Sequence, residues 1–561
     1  LSVPSAIRNV IGNAAQSLPN AFADGIAVEL DRVISAVAGT DRTRAHLTVK
    51  ERVEGRDAFV EEVFNTFRDY FVDKAVTQYG EGRYNHSQIG RVYQTQGLET
   101  LRHLEGLLMS VGDRGFWKKK FLNSMAEQQR LAEINGTVFD VEAAMESAEA
   151  EANYATFNED SKVRELMSAL TENIPFLDYL MPFVGVPTNI IKRQIQFSPI
   201  GIATTAIKHG WAAVRGESFD QRAFVDGMSR GLTGSAMLGL GALLFKSGAL
   251  KLGTKEEDDD KSYGVRTAMG DQYGVYFTIG DKNYSITTFS PAASAFVAGA
   301  FVMDAFDNNE GWGQALINGT LKNINEIFDA SYMSALGDVL NTSNGKSIVE
   351  NLVPAIGSAM LTQNIPAPLS HLASSFDPYV RDTKDKDAMM EVMKTAMSKI
   401  PGARELLPEK VDVAGRAVEN TKNGLAAFVD PFTTSKVVDD PALSEMIRLR
   451  DALIKAGNEN PRAHMATDAL SGRKNTLTQN KETYTVTPEE KEAYRKRYGD
   501  LWRNGGATYS KKGKRTFVDG VEELIRSRKY QLMSDTEKAK AIQEIITEAK
   551  NGATYEIMNH K

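Results

Sequence analysis

At 561 residues, with 42% hydrophobic and 25% charged side chains, the chain is long enough for several buried cores and has the composition of a folded protein. A net charge of -7 makes no general case for nucleic-acid affinity, and the absence of cysteine excludes disulfides, Cys-ligated zinc and thiol catalysis. The charge is uneven, because from residue 441 onward 23 Lys/Arg stand against 17 Asp/Glu, which makes this the one region with a basic surplus.

The first residues, LSVPSAIRNVIGNAAQ, lack the basic start and continuous apolar core of a secretion signal, and without an initiator Met they read as the start of a piece cut from something longer. Over residues 19–39, Phe22, Ile26, Leu30, Val33, Ile34 and Val37 recur at helical spacing before Gly39, which predicts an amphipathic helix. A second helix is expected from about Arg56, with Phe59, Val63, Phe64, Phe67 and Phe71 on the face that meets a partner. Leu98, Leu101, Leu104, Leu107 and Leu108 continue the pattern. Beside Phe116 and Trp117, the run Lys118, Lys119 and Lys120 reads as a solvated face, and residues 139–162, rich in Ala and Glu, read as a surface helix.

Residues 182–201, PFVGVPTNIIKRQIQFSPIG, form a pivot framed by Pro187 and Pro199. Within it Ile190, Ile191 and Ile195 make an apolar face and Lys192, Arg193, Gln194 and Gln196 a polar one. That is the layout of a short helix lying on a core or at a membrane interface. Downstream, residues 231–245 carry no charge and place Gly231, Ser235 and Gly239 four apart, a stripe that lets helix backbones approach closely. Fifteen helical residues cover about 22 Å, short of the roughly 30 Å hydrocarbon layer, so a span would need extension to Leu252 past Lys246 and Lys251.

Alternation of Val275, Phe277 and Ile279, a turn at residues 280–283, then Tyr284 and Ile286 describe a β-hairpin near residues 273–288. Ser290 and Pro291 follow as a helix N-cap and first position, opening another small-residue apolar segment. Residues 351–376 are uncharged but broken by prolines, and residues 430–441 and 472–487 read as linkers. Thr487-Pro488-Glu489-Glu490 opens a helix ending near Gly499, and Ser534 with Glu537 opens one closed by Gly552. Between them the basic string at Ser510, with Lys511, Lys512, Lys514 and Arg515, reads as a loop and is the candidate contact for nucleic acid or anionic lipid.

The fold class expected is mainly α, an elongated multi-helix assembly with one small β-hairpin. Four regions are read: 1–150, an N-terminal helical region; 151–310, the pivot, apolar helices and hairpin; 311–440, helices with a Pro-broken stretch; and 441–561, the basic C-terminal helices. The seven histidines have no zinc spacing, and no EF-hand, phosphate-binding or GxSxG pattern occurs, so neither a metal nor a cofactor is expected. Glu217-Ser218-Phe219 matches part of a lytic-transglycosylase signature, but the Gly-Leu-Met-Gln segment of those enzymes does not follow. Peptidoglycan cleavage is therefore a lesser alternative, and the chain is expected not to be an enzyme.

ATFNED at residues 155–160, MPFVGVPTNIIKRQIQFSPIG, the hairpin YFTIGDKNYSITTFSPAAS and the tail from VTPEEKEAYRKRYGD to AIQEIITEAKNGA, in this order, resemble the internal virion (DNA ejection) proteins of tailed phages. The likeness is to the helical region of large phage polyvalent virion proteins and covers about residues 153–552. It implies a structural protein packed inside the capsid, released with the genome, and forming a conduit across the host envelope. The implied partners are copies of itself and other ejection or portal proteins, the host membrane, and phage DNA through the C-terminal region. The alternative implied is the structural end of a giant injected polypeptide whose polymerase or antirestriction enzyme lies elsewhere.

Overall fold

The computed structural model describes residues 3–71, 99–156, 192–214, 218–253, 262–272, 274–289, 292–307, 311, 313–316, 319, 367–385, 387–422, 424, 427, 430–458, 464–467, 470 and 474–559. It is mainly helical with small antiparallel sheets. The chain divides into two compact units, one of Leu1–Lys251 with Ile286–Ile348 and one of Leu252–Ser285 with Val349–Lys561.

The helices in chain order are α1 (Val3–Ala38), α2 (Val49–Phe71), α3 (Glu99–Asn135), α4 (Val141–Ala155), α5 (Pro199–Val214), α6 (Gln221–Lys246), α7 (Ser262–Ala268), α8 (Ser294–Asp307), α9 (Ala367–Phe376), α10 (Ala388–Met397), α11 (Pro441–Lys455), α12 (Pro488–Asn504), α13 (Val521–Arg526), α14 (Arg528–Gln531) and α15 (Asp535–Asn559). The strands are β1 (Lys251–Leu252), β2 (Val275–Ile279), β3 (Lys282–Ser285), β4 (Thr434–Lys436), β5 (Thr476–Gln479), β6 (Glu482–Thr485), β7 (Gly506–Tyr509) and β8 (Arg515–Val518).

The first unit packs α1 on α3 and α6, α2 on α3, α3 on α4, and α6 on α5 and α8. Its interior combines small residues at the helix crossings with larger ones such as Leu131, Val225, Phe301 and Val302. α1 turns Ala23, Ala27, Asp31 and Ser35 inward and leaves Phe22, Val33 and Val37 exposed, opposite to the expected face. α2 buries Ala58, Glu62 and Thr66 and leaves Phe64 exposed, while the expected Phe59 and Val63 pack against Gly115 of α3, the Phe59 ring 4.9 Å from that of Phe116; α4 is a surface helix as read, burying the stripe Ala144, Ala148 and Ala152. Small side chains let backbones come close, which large ones at the same positions would prevent. The α6–α8 crossing is the tightest case. A Cβ added at Gly241 would lie 2.3 Å from the Phe296 carbonyl oxygen, and one at Gly299 would lie 2.0 Å from that of Leu238.

In the second unit, Leu443, Met446 and Leu449 of α11, Tyr494, Tyr498, Leu501 and Trp502 of α12 and Ile542 of α15 make a large apolar core. The Trp502 indole Nε1 donates to the Val413 carbonyl over 2.9 Å. The helix start at Thr487 forms as read, with Glu490 completing a capping box, and so does the capping box at Ser534 and Glu537, but α12 runs through Gly499 to Asn504 and ends on Gly505 at φ 76°. Gly499 is instead a packing residue, because a Cβ there would meet the Gly415 amide nitrogen at 2.1 Å. Gly552 lies inside α15 for the same reason, beneath Thr508.

The hairpin read at residues 273–288 is present as β2–β3, with Ile279 opposite Lys282 and Gly280 at φ 62° in a two-residue turn. It is widened by β4, drawn from residues read as a linker, giving the order β1-β2-β3-β4. The second expected linker is also a hairpin, β5–β6, turned by Asn480 and Lys481 at φ 51° and 70°, and the basic loop is the turn of a third, β7–β8. Polar, Thr-rich strands give little hydrophobic alternation, which is why they read as linkers.

One carboxylate ties the irregular chain after α9. Asp377, fully buried, accepts from the Tyr379 amide at 3.0 Å, from Arg381 at 2.8 and 2.9 Å and from Arg404 at 2.7 Å. Burial alone would raise its pKa; the hydrogen bonds from Arg381, Tyr379 and Arg404 outweigh it and bring it down to about 2. Because the folded value is depressed, the stabilisation is complete above the unfolded pKa and is lost as pH falls from about 4 through 2. Asp377→Asn should cost about 2 kcal/mol at pH 7 and flatten this acid limb, read by urea unfolding of the second unit at pH 7 and pH 3. Gly299→Val should lower the unfolding midpoint of the first unit alone, by about 2 kcal/mol or more, in the same titration.

Candidate functional site

The segment between α1 and α2, residues 40–46, runs into the middle of the first unit and would leave buried backbone donors unpaired. Asp31 of α1 receives it. Its carboxylate accepts from the Thr43 amide and hydroxyl, the Arg44 amide at 3.1 Å, the Arg42 Nε at 2.8 Å and the Gln221 amide side chain at 2.8 Å. The Arg42 backbone is clasped on the other side by Asn135, which both accepts and donates.

This places the Arg44 side chain, 3% exposed, among three carboxylates from three helices. Its Nη1 donates to Glu127 of α3 at 3.0 Å and to Glu151 of α4 at 2.9 Å; Nε and Nη2 hold Asp226 of α6 at 2.7 and 2.6 Å. Arg222 of α6 also grips Glu151, and Lys120 of α3 bridges Asp24 of α1 at 2.9 Å and Glu151 at 3.1 Å. The expected solvated lysine face is thus turned inward at Lys120, and Lys118 pairs with Glu62 at 3.0 Å. Burial alone lowers the Arg44 pKa, but Glu151, Asp226 and Glu127 hold it well above its ordinary value. Burial pushes Glu127 up, whereas Glu151, for which burial acts the same way, is held well below its usual range by Lys120, Arg44 and Arg222. The cluster cross-links four helices. Glu127 also lines a cavity of about 370 Å³ together with Asn13, Asp24, His46, Phe116 and Lys119.

The pivot joins this lattice through its polar side. Of its residues Pro187, Ile190 and Ile191 lie outside the described residues, as do Pro291 and Glu217. Residues 192–196 are helical, but Arg193 and Gln194 are buried, Lys192 is exposed and Ile195 half-buried, so the described part turns its polar face inward. The physical reason is Tyr154 of α4. The guanidiniums of Arg193 and Arg230 lie 4.0 and 4.1 Å from its ring centroid, and its hydroxyl donates to Gln196 at 2.9 Å.

The stripe Gly231, Ser235 and Gly239 does not act as one face. Gly231 packs on Ile202 of α5, the Ser235 hydroxyl donates to the Gly231 carbonyl at 2.7 Å, and Gly239 is exposed with open space beside it. α6 stops at Lys246, followed by Gly248 at φ 77°, so the extension to Leu252 does not form. Among the described residues no helix is long and apolar enough to cross a membrane, and no group of His, Asp and Glu is placed to hold a metal.

In the second unit Lys511, Lys512, Lys514 and Arg515 are exposed at the end of β7–β8. Sequence reading saw the basic run but missed the buried charge cluster, whose members are spread over 200 residues with no local spacing to mark them. The sequence matches no family model and no curated protein, and the structure matches no solved structure.

Removing the central cation strands three buried acids. Arg44→Met should cost about 3–5 kcal/mol in the first unit, and Glu151→Gln a similar amount, whereas Glu127→Gln, replacing the carboxyl already biased toward its proton, should stay within about 1 kcal/mol; thermal and urea unfolding compare the three.

Proposed function

We propose that this chain is a structural component of a tailed-phage particle, packed within the capsid, released with the genome, and assembling with copies of itself and other ejection or portal proteins into a conduit across the host envelope. It performs no catalysis in this reading. The observation that carries it is the outward placement of large apolar side chains in the first unit, where Phe22, Val33, Val37, Phe64, Leu240 and Leu243 are all exposed on helices that cross at alanine and glycine and meet in paired charge. Such side chains gain roughly 25 cal/mol per Å² on being covered, so they favour assembly. The ordered likeness of ATFNED, the pivot, the hairpin and the tail to internal virion proteins supplies the biological setting. The host membrane is reached by the assembly, through faces that neighbouring copies leave free.

Sedimentation velocity of the full chain should show concentration-dependent oligomers. Leu232→Ser, Leu240→Ser and Leu243→Ser combined should shift it toward monomer with helicity unchanged by circular dichroism. Cryo-EM of the particle should place the chain inside the capsid above the portal, and the folded chain should release dye from liposomes. A strict monomer at every concentration, absent from particles, would overturn the reading.

A further inference from the structure

The two C-terminal hairpins end together. The Asn480 side chain in the β5–β6 turn donates from Nδ2 to the Lys511 carbonyl in the β7–β8 turn over 3.0 Å, and the second turn is closed by the Ser510 amide on the Lys514 carbonyl at 2.8 Å. Five exposed cations are thereby gathered on two tied turns: Lys481, Lys511, Lys512, Lys514 and Arg515. Among the described residues none of the five makes an ion pair.

The ribbon behind this tip has two unlike faces. Thr508 and Val518 are buried on the side of α15, where the Thr508 hydroxyl donates to Glu556 at 2.8 Å. The register pairs Tyr509 with Arg515 and Ala507 with Phe517, so these four share the outer face. There Phe517 is 73% and Tyr509 41% exposed, with the Arg515 guanidinium 5.9 Å from the Phe517 ring. Tyr509 is braced against Tyr555 of α15, with ring centroids 5.6 Å apart, and keeps part of its ring in solvent, while Phe517 projects beside the cations. We propose that this face binds single-stranded nucleic acid, the cations following the phosphates while unpaired bases stack on Phe517 and Tyr509. A duplex keeps its base faces covered, and a lipid headgroup has none; the aromatic pair therefore favours the single strand. The inference goes beyond the structural role proposed above and does not need it.

Fluorescence anisotropy of the full chain with a labelled oligothymidylate of about 20 nucleotides tests it, with a duplex of equal length and phosphatidylglycerol vesicles as competitors. Binding should favour the single strand, weaken roughly tenfold in Phe517→Ala, and fall with salt at a slope reduced by about 2 in Lys511→Ala, Lys512→Ala and Lys514→Ala combined. Phe517 is exposed, so the variant should keep the parent's unfolding midpoint, which is checked alongside. No binding, equal affinity for duplex, indifference to Phe517→Ala, or displacement by vesicles alone would each overturn the proposal.

Discussion

The first unit depends on one buried guanidinium. Arg44 reaches the interior only because Asp31 satisfies the backbone of residues 42–44, and once there it is surrounded by Glu127, Glu151 and Asp226 from three different helices. A buried ion pair is seldom a strong source of net stability, since desolvation offsets most of the attraction. What it adds here is a registration mark, since the observed packing brings carboxylates from α3, α4 and α6 around the same cation. The pivot extends the same logic, fixing Arg193 and Arg230 against Tyr154.

Around that charge the helices approach through glycine and alanine, and the second unit works differently. There a broad core of Leu, Tyr, Trp and Ile holds α11, α12 and α15, and glycine serves at single crossings such as Gly499 on Gly415. A unit whose helices cross on small residues leaves several large side chains outside. A unit with a full apolar core can carry thin polar hairpins on its surface and still hold them in place, as α15 holds β7 beneath Thr508 and Gly552.

The two functional readings draw on these two kinds of construction. Assembly into a conduit rests on the apolar exterior of the first unit, and nucleic-acid contact rests on a polar ribbon of the second. They ask different things of the chain, shape and multiplicity in one case, charge and stacking in the other, and the residues behind each lie within its own unit.

Much of the element content was legible in the residues themselves. The mainly helical class, the β2–β3 hairpin, the capping box at Ser534 and Glu537 and the basic run at Lys511 follow from local periodicity, caps and turn chemistry, which act over a few neighbours. The inward faces of α1 and the pivot were not legible, because hydrophobicity ranks Phe22 and Val33 above Ala23 and Asp31 and cannot register a buried cation waiting for its carboxylates. Gly499 and Gly552 likewise read as helix ends, since a glycine that stops a helix and one that admits a neighbouring backbone look alike in sequence. The sequence by itself determined which elements form. Which face each one buries, and which charges meet, was decided only by tertiary packing, where backbone separation and long-range ion pairing outweigh the preference of any single side chain.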